Sequence, residues 1–147
     1  LLSDPSKLVR YAAARRLQRI GGRRAFEAAK LFLKKGTINQ REVSAFLLGQ
    51  LDQPKLRFRS ETVPLLISVL KSDANEGVRS SAAVALGHLG DEKAIIPLKM
   101  ALQNSSDEMR SSVAASLSMF ENSEEAKAML VELRKDKSPK VRYWAEE

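Results

Sequence analysis

The chain has 147 residues, with 25 Lys and Arg against 18 Asp and Glu, a single His and no Cys. This excludes a disulfide framework, a thiol nucleophile, a Cys metal site and a His-rich metal centre. The length argues for one domain and the missing Cys for a reducing cytoplasm, while 20 Leu, 18 Ala and 5% aromatics predict an all-α fold with an aliphatic core. The net charge of +7 is uneven: residues 1–60 hold 14 cations and 4 anions and residues 61–147 hold 11 and 14, so the basic half points to an acidic partner.

An internal repeat organises the chain. Val9-Arg10, Gln40-Arg41, Val78-Arg79, Met109-Arg110 and Val141-Arg142 are equivalent points, with Arg spacings of 31, 38, 31 and 32. Three and seven residues after each of the first four arginines stands a residue that shares one helix face: Ala13 and Leu17, Ser44 and Leu48, Ala82 and Leu86, Val113 and Leu117. Each unit therefore opens with a helix.

In chain order, Gly21-Gly22 turns the first unit into a second helix over Ala25–Lys34. The second unit carries about seven extra residues in Asp52–Ser60, a basic stretch with Pro54 and Phe58 that reads as a loop on one edge. A helix over Thr62–Leu70 follows it, with Pro64 early. The third unit turns at Gly90-Asp91 into a helix over Ile95–Gln103, with Pro97 early. Ser105-Ser106-Asp107-Glu108 has the form of a capping box, and Ser123 before Glu124 and Glu125 supplies a cap and two anions for a helix over Ala126–Arg134. Val141-Arg142-Tyr143-Trp144-Ala145 opens one more first helix. No segment alternates with period two, so no strand is expected.

The repeats span approximately 4–35, 36–72, 73–104 and 105–136, with a partial unit at 137–147, about four and a half hairpins in all. Each hairpin alone has too little apolar surface to fold, and stacking lets neighbours bury one another's faces, which makes a solenoid. Both ends fall inside a unit, so the expectation is a fragment of a longer array, with Tyr143 and Trp144 as an exposed stacking surface.

Asp73-x4-Val78-Arg79-x2-Ala82-Ala83-x2-Leu86-Gly87-x-Leu89-Gly90-Asp91-x2-Ala94-x2-Pro97-Leu98 resembles a HEAT repeat of the bilin-lyase-like type. The resemblance covers nearly the whole chain, is best in the third unit and weakest in the second. It implies a right-handed α-α superhelix of HEAT-like, armadillo-like form. It also implies an Asp/Arg ladder stacked between neighbouring units: Asp4/Arg10, Asp73/Arg79 and Asp136/Arg142, with Asn104/Arg110 a neutral variant and Lys35/Arg41 a break. A planar guanidinium fork suits that role, because it can bridge carboxylates and loop carbonyls of adjacent turns. Ala14-Arg15-Arg16-Leu17-Gln18-Arg19-Ile20-Gly21-Gly22, Ser44-Ala45-Phe46-Leu47-Leu48-Gly49-Gln50-Leu51 and the long second unit are similar to bacterial HEAT-repeat proteins of enterobacteria, encoded beside Rhs-type toxins and regarded as immunity proteins.

Motifs for chemistry are sparse. His88, the only imidazole, sits near a helix end where the dipole favours it, and no G-x-S-x-G elbow accompanies it. Glu121, Glu124 and Glu125 serve a helix start and lie in no calcium-loop pattern. No Walker A, dinucleotide fingerprint or H-E-x-x-H is present, so no catalytic residue, cofactor or metal is assigned. No uncharged apolar run approaches the length of a membrane span, and Leu1–Pro5 is not a signal peptide.

Surface therefore carries the functional reading. The family resemblance places second helices on the concave face, where Glu27, Lys30 and Lys34 of the first unit, Lys99 and Gln103 of the third, and Lys127 and Arg134 of the fourth form a mainly cationic stripe. Arg57-Phe58-Arg59 in the long loop either docks a partner, or Phe58 or Leu56 tucks back onto helix ends. Arg15, Arg16, Arg19, Arg23 and Arg24 are the densest basic cluster. The expected partner is a protein acidic on its contact face, bound without chemistry. Nucleic acid in a basic groove and a chromophore-lyase subunit are the alternatives.

Overall fold

The computed structural model describes residues 2–146; Leu1 and the last residue of the partial unit, Glu147, lie outside it. Among the described residues the chain is all-helical and forms an α-solenoid of stacked hairpins. The first helices are α1 (Lys7–Ile20), α3 (Ile38–Gln50), α5 (Glu76–Leu89), α7 (Asp107–Leu117) and α9 (Pro139–Glu146). The second helices are α2 (Gly22–Lys35), α4 (Arg59–Ser72), α6 (Ile95–Ala101) and α8 (Glu124–Leu133), with a short 3-10 turn, Glu92–Ala94, leading into α6.

First helices pack on first helices, and each second helix lies against the first helix of the following unit. The core is the aliphatic seam between these layers, including Val43, Leu48, Leu66, Leu86, Leu98, Val113 and Leu117, all essentially without solvent exposure. Small residues set the spacing. A Cβ on Gly49 would lie 2.6 Å from the Cα of Ala85, and one on Gly87 would lie 2.8 Å from the Cα of Ser116. Both glycines stand eight residues after their repeat arginine, so α3, α5 and α7 are clamped at the same level. In α1 that position holds Gln18, and α1 touches α3 along less of its length.

The helix ends follow local chemistry. Thr37 and Gln40 form a reciprocal capping box at the start of α3, which the sequence reading missed. Asn75, Ser106 and Ser123 cap α5, α7 and α8 with side-chain oxygens. The box expected at Ser105–Glu108 is not formed: Ser106 is the cap, the Ser105 hydroxyl donates back to the Leu102 carbonyl, and Glu108 pairs with Lys140. Gly90 ends α5 in the left-handed conformation at φ 60°, where a side chain is unfavourable. The helix expected from Thr62 begins at Arg59, which puts Pro64 a turn and a half inside α4 rather than at its start. The Ser60 carbonyl left without a donor there belongs to an exposed residue, so water can satisfy it.

Candidate functional site

The repeat arginines act first on their own unit. One terminal nitrogen of each donates to carbonyls five or six residues upstream: Arg10 to Asp4 and Pro5, Arg41 to Gly36, Arg79 to Asp73 and Ala74, Arg110 to Ser105, and Arg142 to Asp136 and Lys137. The rest of the fork reaches across a unit boundary where the next unit offers a carboxylate. Arg41 grips Asp73 with Nε at 2.8 Å and Nη2 at 3.1 Å, and Arg110 grips Asp136 at 2.7 and 3.0 Å. The pairing is therefore offset from the within-unit pairs Asp73/Arg79 and Asp136/Arg142: inside a unit the arginine meets the backbone of the aspartate. Lys35 and the exposed Asn104 occupy the carboxylate position opposite Arg10 and Arg79, and among the described residues these two arginines bond only within their own unit.

Each aspartate also accepts a backbone N–H two residues on: Asp4 from Ser6, Asp73 from Asn75 and Asp136 from Ser138. Burial opposes ionisation of Asp73, but the bonds from Arg41 and Asn75 outweigh it and hold the carboxyl below its ordinary range. Asp136 is lowered chiefly by the bonds from Arg110.

The second-helix stripe is largely compensated by its own neighbours. Lys30 and Arg23 both meet Glu27, Arg23 also pairs with Glu61 at 2.8 Å, Lys99 pairs with Glu125 at 3.6 Å, and Lys127 pairs with Glu124 at 2.7 Å. Arg134 turns away from the stripe and donates through Nε to the Ala145 carbonyl in α9. Lys34 and Gln103 remain exposed. Between them stand Leu31, Ile96, Met100 and Val131, each about half exposed, so this face is mixed rather than simply cationic.

The long loop splits the three residues expected to dock a partner. Phe58 is only 8% exposed and stacks on Phe26, centroids 4.8 Å apart and planes 16° off parallel, so its ring is part of the core. Arg59 lies in α4; its Nη2 donates to the Gly90 carbonyl at 2.6 Å, tying the loop to the next turn. Arg57 is exposed but braced by Asp52 through Nε–Oδ2 at 2.6 Å and Nη2–Oδ1 at 2.7 Å. That fork holds Asp52 down at about 2. The spacing Asp52-x4-Arg57 is the signal that could have revealed this brace.

Arg23 is absorbed too, lying 5.1 Å over the Phe26 ring and 4.8 Å over Phe58. Arg15, Arg16, Arg19 and Arg24 are exposed, and none has a carboxylate within ion-pair distance among the described residues. A separate groove of about 290 Å³ crosses the first-helix layer, where Tyr11 and Phe46 meet at 4.8 Å and Glu42 accepts from Lys7. His88 lies at its edge, and burial lowers its pKa. Among the described residues no group of three or more His, Cys, Asp or Glu is placed to hold a metal, and no helix is long and apolar enough to cross a membrane.

This ladder and these layers have relatives. Residues 28–118 and 63–147 match the family described as HEAT repeats, which together cover most of the chain. The chain belongs to the HEAT repeat family. The solved structure of YibA from Escherichia coli superposes with a TM-score of 0.84 at 26% identity, over 99% of this chain and 54% of YibA. Human deoxyhypusine hydroxylase, solved with glycerol, superposes with a TM-score of 0.62 at 29% identity, over 83% of this chain and 41% of the enzyme. This HEAT protein thus spans about half the length of YibA and less of the hydroxylase. No curated protein sequence matches it significantly. Its close glycine contacts and offset Arg–Asp bonds are features of the frame; the basic end of α1 is not required by the frame.

Proposed function

We propose that this HEAT solenoid is a non-enzymatic scaffold that binds a protein acidic on its contact face. One observation carries the reading. The second-helix cations are mostly matched by local carboxylates, whereas the first unit presents four exposed arginines with no such partner among the described residues, within a half of net charge +10. An uncompensated basic patch on a rigid frame steers and orients an acidic surface without performing chemistry.

The finer reading is an immunity-type protein that neutralises a toxin by occlusion, supported by the likeness of residues 14–22 and 44–51 to enterobacterial HEAT-repeat proteins of that kind. Co-expression with the toxin-domain gene adjacent to its own should rescue growth; unrescued growth with the full-length protein would remove the immunity reading. The same arginines favour nucleic acid as a second reading. It predicts duplex binding that falls steeply with salt and ignores sequence, and an absence of binding near about 50 mM salt ends it.

A further inference from the structure

We infer that the carboxylates of the partner enter the cleft between the end of α1 and the loop that follows α3. This rests on the acidic-protein reading above and gives it a place and a geometry. The cleft measures about 870 Å³ and is walled by Arg15 and Arg19 of α1 on one side and by Gln50, Gln53 and Arg57 on the other.

The frame itself opens the cleft. At the next two junctions a glycine eight residues after the repeat arginine draws neighbouring first helices together, Gly49 onto Ala85 and Gly87 onto Ser116. In α1 the same position is Gln18, which lines the cleft, so α1 stands off and leaves a gap of about twice the volume of the 400 Å³ one between the ends of α3 and α5. The seven extra residues of the second unit then build the far wall. Asp52 and Leu56, both at positive φ, fold the loop back, and Asp52 takes both nitrogens of the Arg57 fork. Asp52 is the one carboxylate lining the cleft among the described residues, and it is already engaged. Ile20, 70% exposed at the rim, is a large apolar side chain that an occupant would cover.

The spacing selects the occupant. Arg15 and Arg19 are one helical turn apart on one face of α1, so their stems leave the helix about 6 Å from each other. Two carboxylates at i and i+4 of a helix match that interval, as do alternate residues of an extended strand at about 7 Å. The Gln18, Gln50 and Gln53 amides add donors that fit carboxylate oxygens. Gln50 and Gln53 both reach the last turn of α5, at His88, which fixes the floor to the third unit. An acidic segment of a folded protein therefore fits better than a small apolar ligand, because the walls are charged and polar.

The test uses the whole chain and a fluorescein-labelled alanine-based helical peptide with Glu at i and i+4, read by anisotropy at low salt, beside a short DNA duplex of matched charge. Arg15→Glu/Arg19→Glu should weaken peptide binding at least about tenfold, and Lys99→Glu/Lys127→Glu should change it less than about twofold. Arg15→Gln/Arg19→Gln keeps helix propensity and should fall between them, with an unchanged unfolding midpoint showing that the frame is intact. Loss of binding only in the Lys99/Lys127 variant overturns the cleft and leaves the acidic-protein reading standing. Tighter, steeply salt-dependent binding of the duplex overturns both in favour of nucleic acid. Binding of neither probe overturns the cleft as a carboxylate site, while toxin rescue still decides the scaffold reading on its own.

Discussion

Replacing Gly49 by alanine should destabilise the protein, although alanine is the better helix former. The new Cβ would lie 2.6 Å from both the Cα and the Cβ of Ala85 and 3.0 Å from its carbonyl oxygen. Ordinary carbon contacts are about 3.5–4.0 Å, so α3 and α5 would have to part by about 1 Å at this level. The listening atoms are mostly backbone, which cannot rotate away. Overpacking of this kind costs about 1–3 kcal/mol, and the wider seam also loosens the contacts of Leu48, Ala82, Ala85 and Leu86. The helix propensity gained returns about 1 kcal/mol. A net loss of up to about 2 kcal/mol remains, or a midpoint lowered by up to about 8 °C in a chain of this size. Thermal and urea unfolding followed by circular dichroism at the helix band measure it. Gly77→Ala is the control: its Cβ would meet only the Asn75 side chain, at 3.2 Å on an exposed first turn, so the effect runs from neutral to a gain of about 0.5 kcal/mol. A Gly49→Ala protein more stable than the parent by about 1 kcal/mol, the full helix-propensity gain, would refute the close approach of α3 and α5, and with it the account of why α1 stands off.

The remaining predictions follow from the ladder, the loop and the lone imidazole. Asp73→Asn or Asp136→Asn should each cost about 1–3 kcal/mol near neutral pH, because each leaves a half-buried guanidinium without its charge-assisted pair. Both carboxyls have folded-state values below their unfolded ones, so their contribution is complete above about pH 4 and is lost as pH falls through the folded value. The double variant should flatten the acid limb of stability measured by urea midpoints. His88 is held neutral by burial, so stability should decline as pH drops below about 6.5, where the unfolded chain takes up a proton first; His88→Gln should abolish that slope. Phe58→Ala should cost about 3 kcal/mol by chemical denaturation, since the ring is buried against Phe26; a change under about 1 kcal/mol would mean that the ring is solvated.

Much of the frame was legible because its period is written in side chains that must recur. The arginine at each unit start and the small and Leu positions three and seven residues later follow from helices that stack closely, so hairpin order could be read directly. Gly21-Gly22 and Gly90 marked turns for a conformational reason, and both turns formed. The offset of the ladder was not legible: which aspartate an arginine reaches depends on the rise between units, a tertiary distance. Local sequence also could not choose between Ser105 and Ser106 as the cap of α7, since each has acceptor and spacing. The α4 start moved three residues toward the N-terminus because Phe58 is anchored on Phe26 and lets Arg59 begin the helix.

The candidate surface was harder to read. Helical spacing placed Lys30, Lys99 and Lys127 outward; Lys99 and Lys127 are exposed and Lys30 is half-buried over Phe26, and charge on a face depends on partners one helix over. Glu124 and Glu125 were read as helix-start anions, and in the fold they also neutralise that face. The cluster on α1 was visible as composition, yet its isolation from carboxylates and the cleft beside it depend on Gln18 and on the folded loop. Asp52 reads in sequence as a loop residue; only in the fold does it become the brace that fixes the exposed Arg57 fork.

Hydrogen–deuterium exchange of the full chain, with and without the Glu-bearing helical peptide, tests most directly whether the partner surface lies at the first two units. Slowed exchange confined to segments covering residues 12–22 and 50–57 is the predicted result. Slowed exchange confined to residues 95–103 and 124–134, or none anywhere, would contradict it.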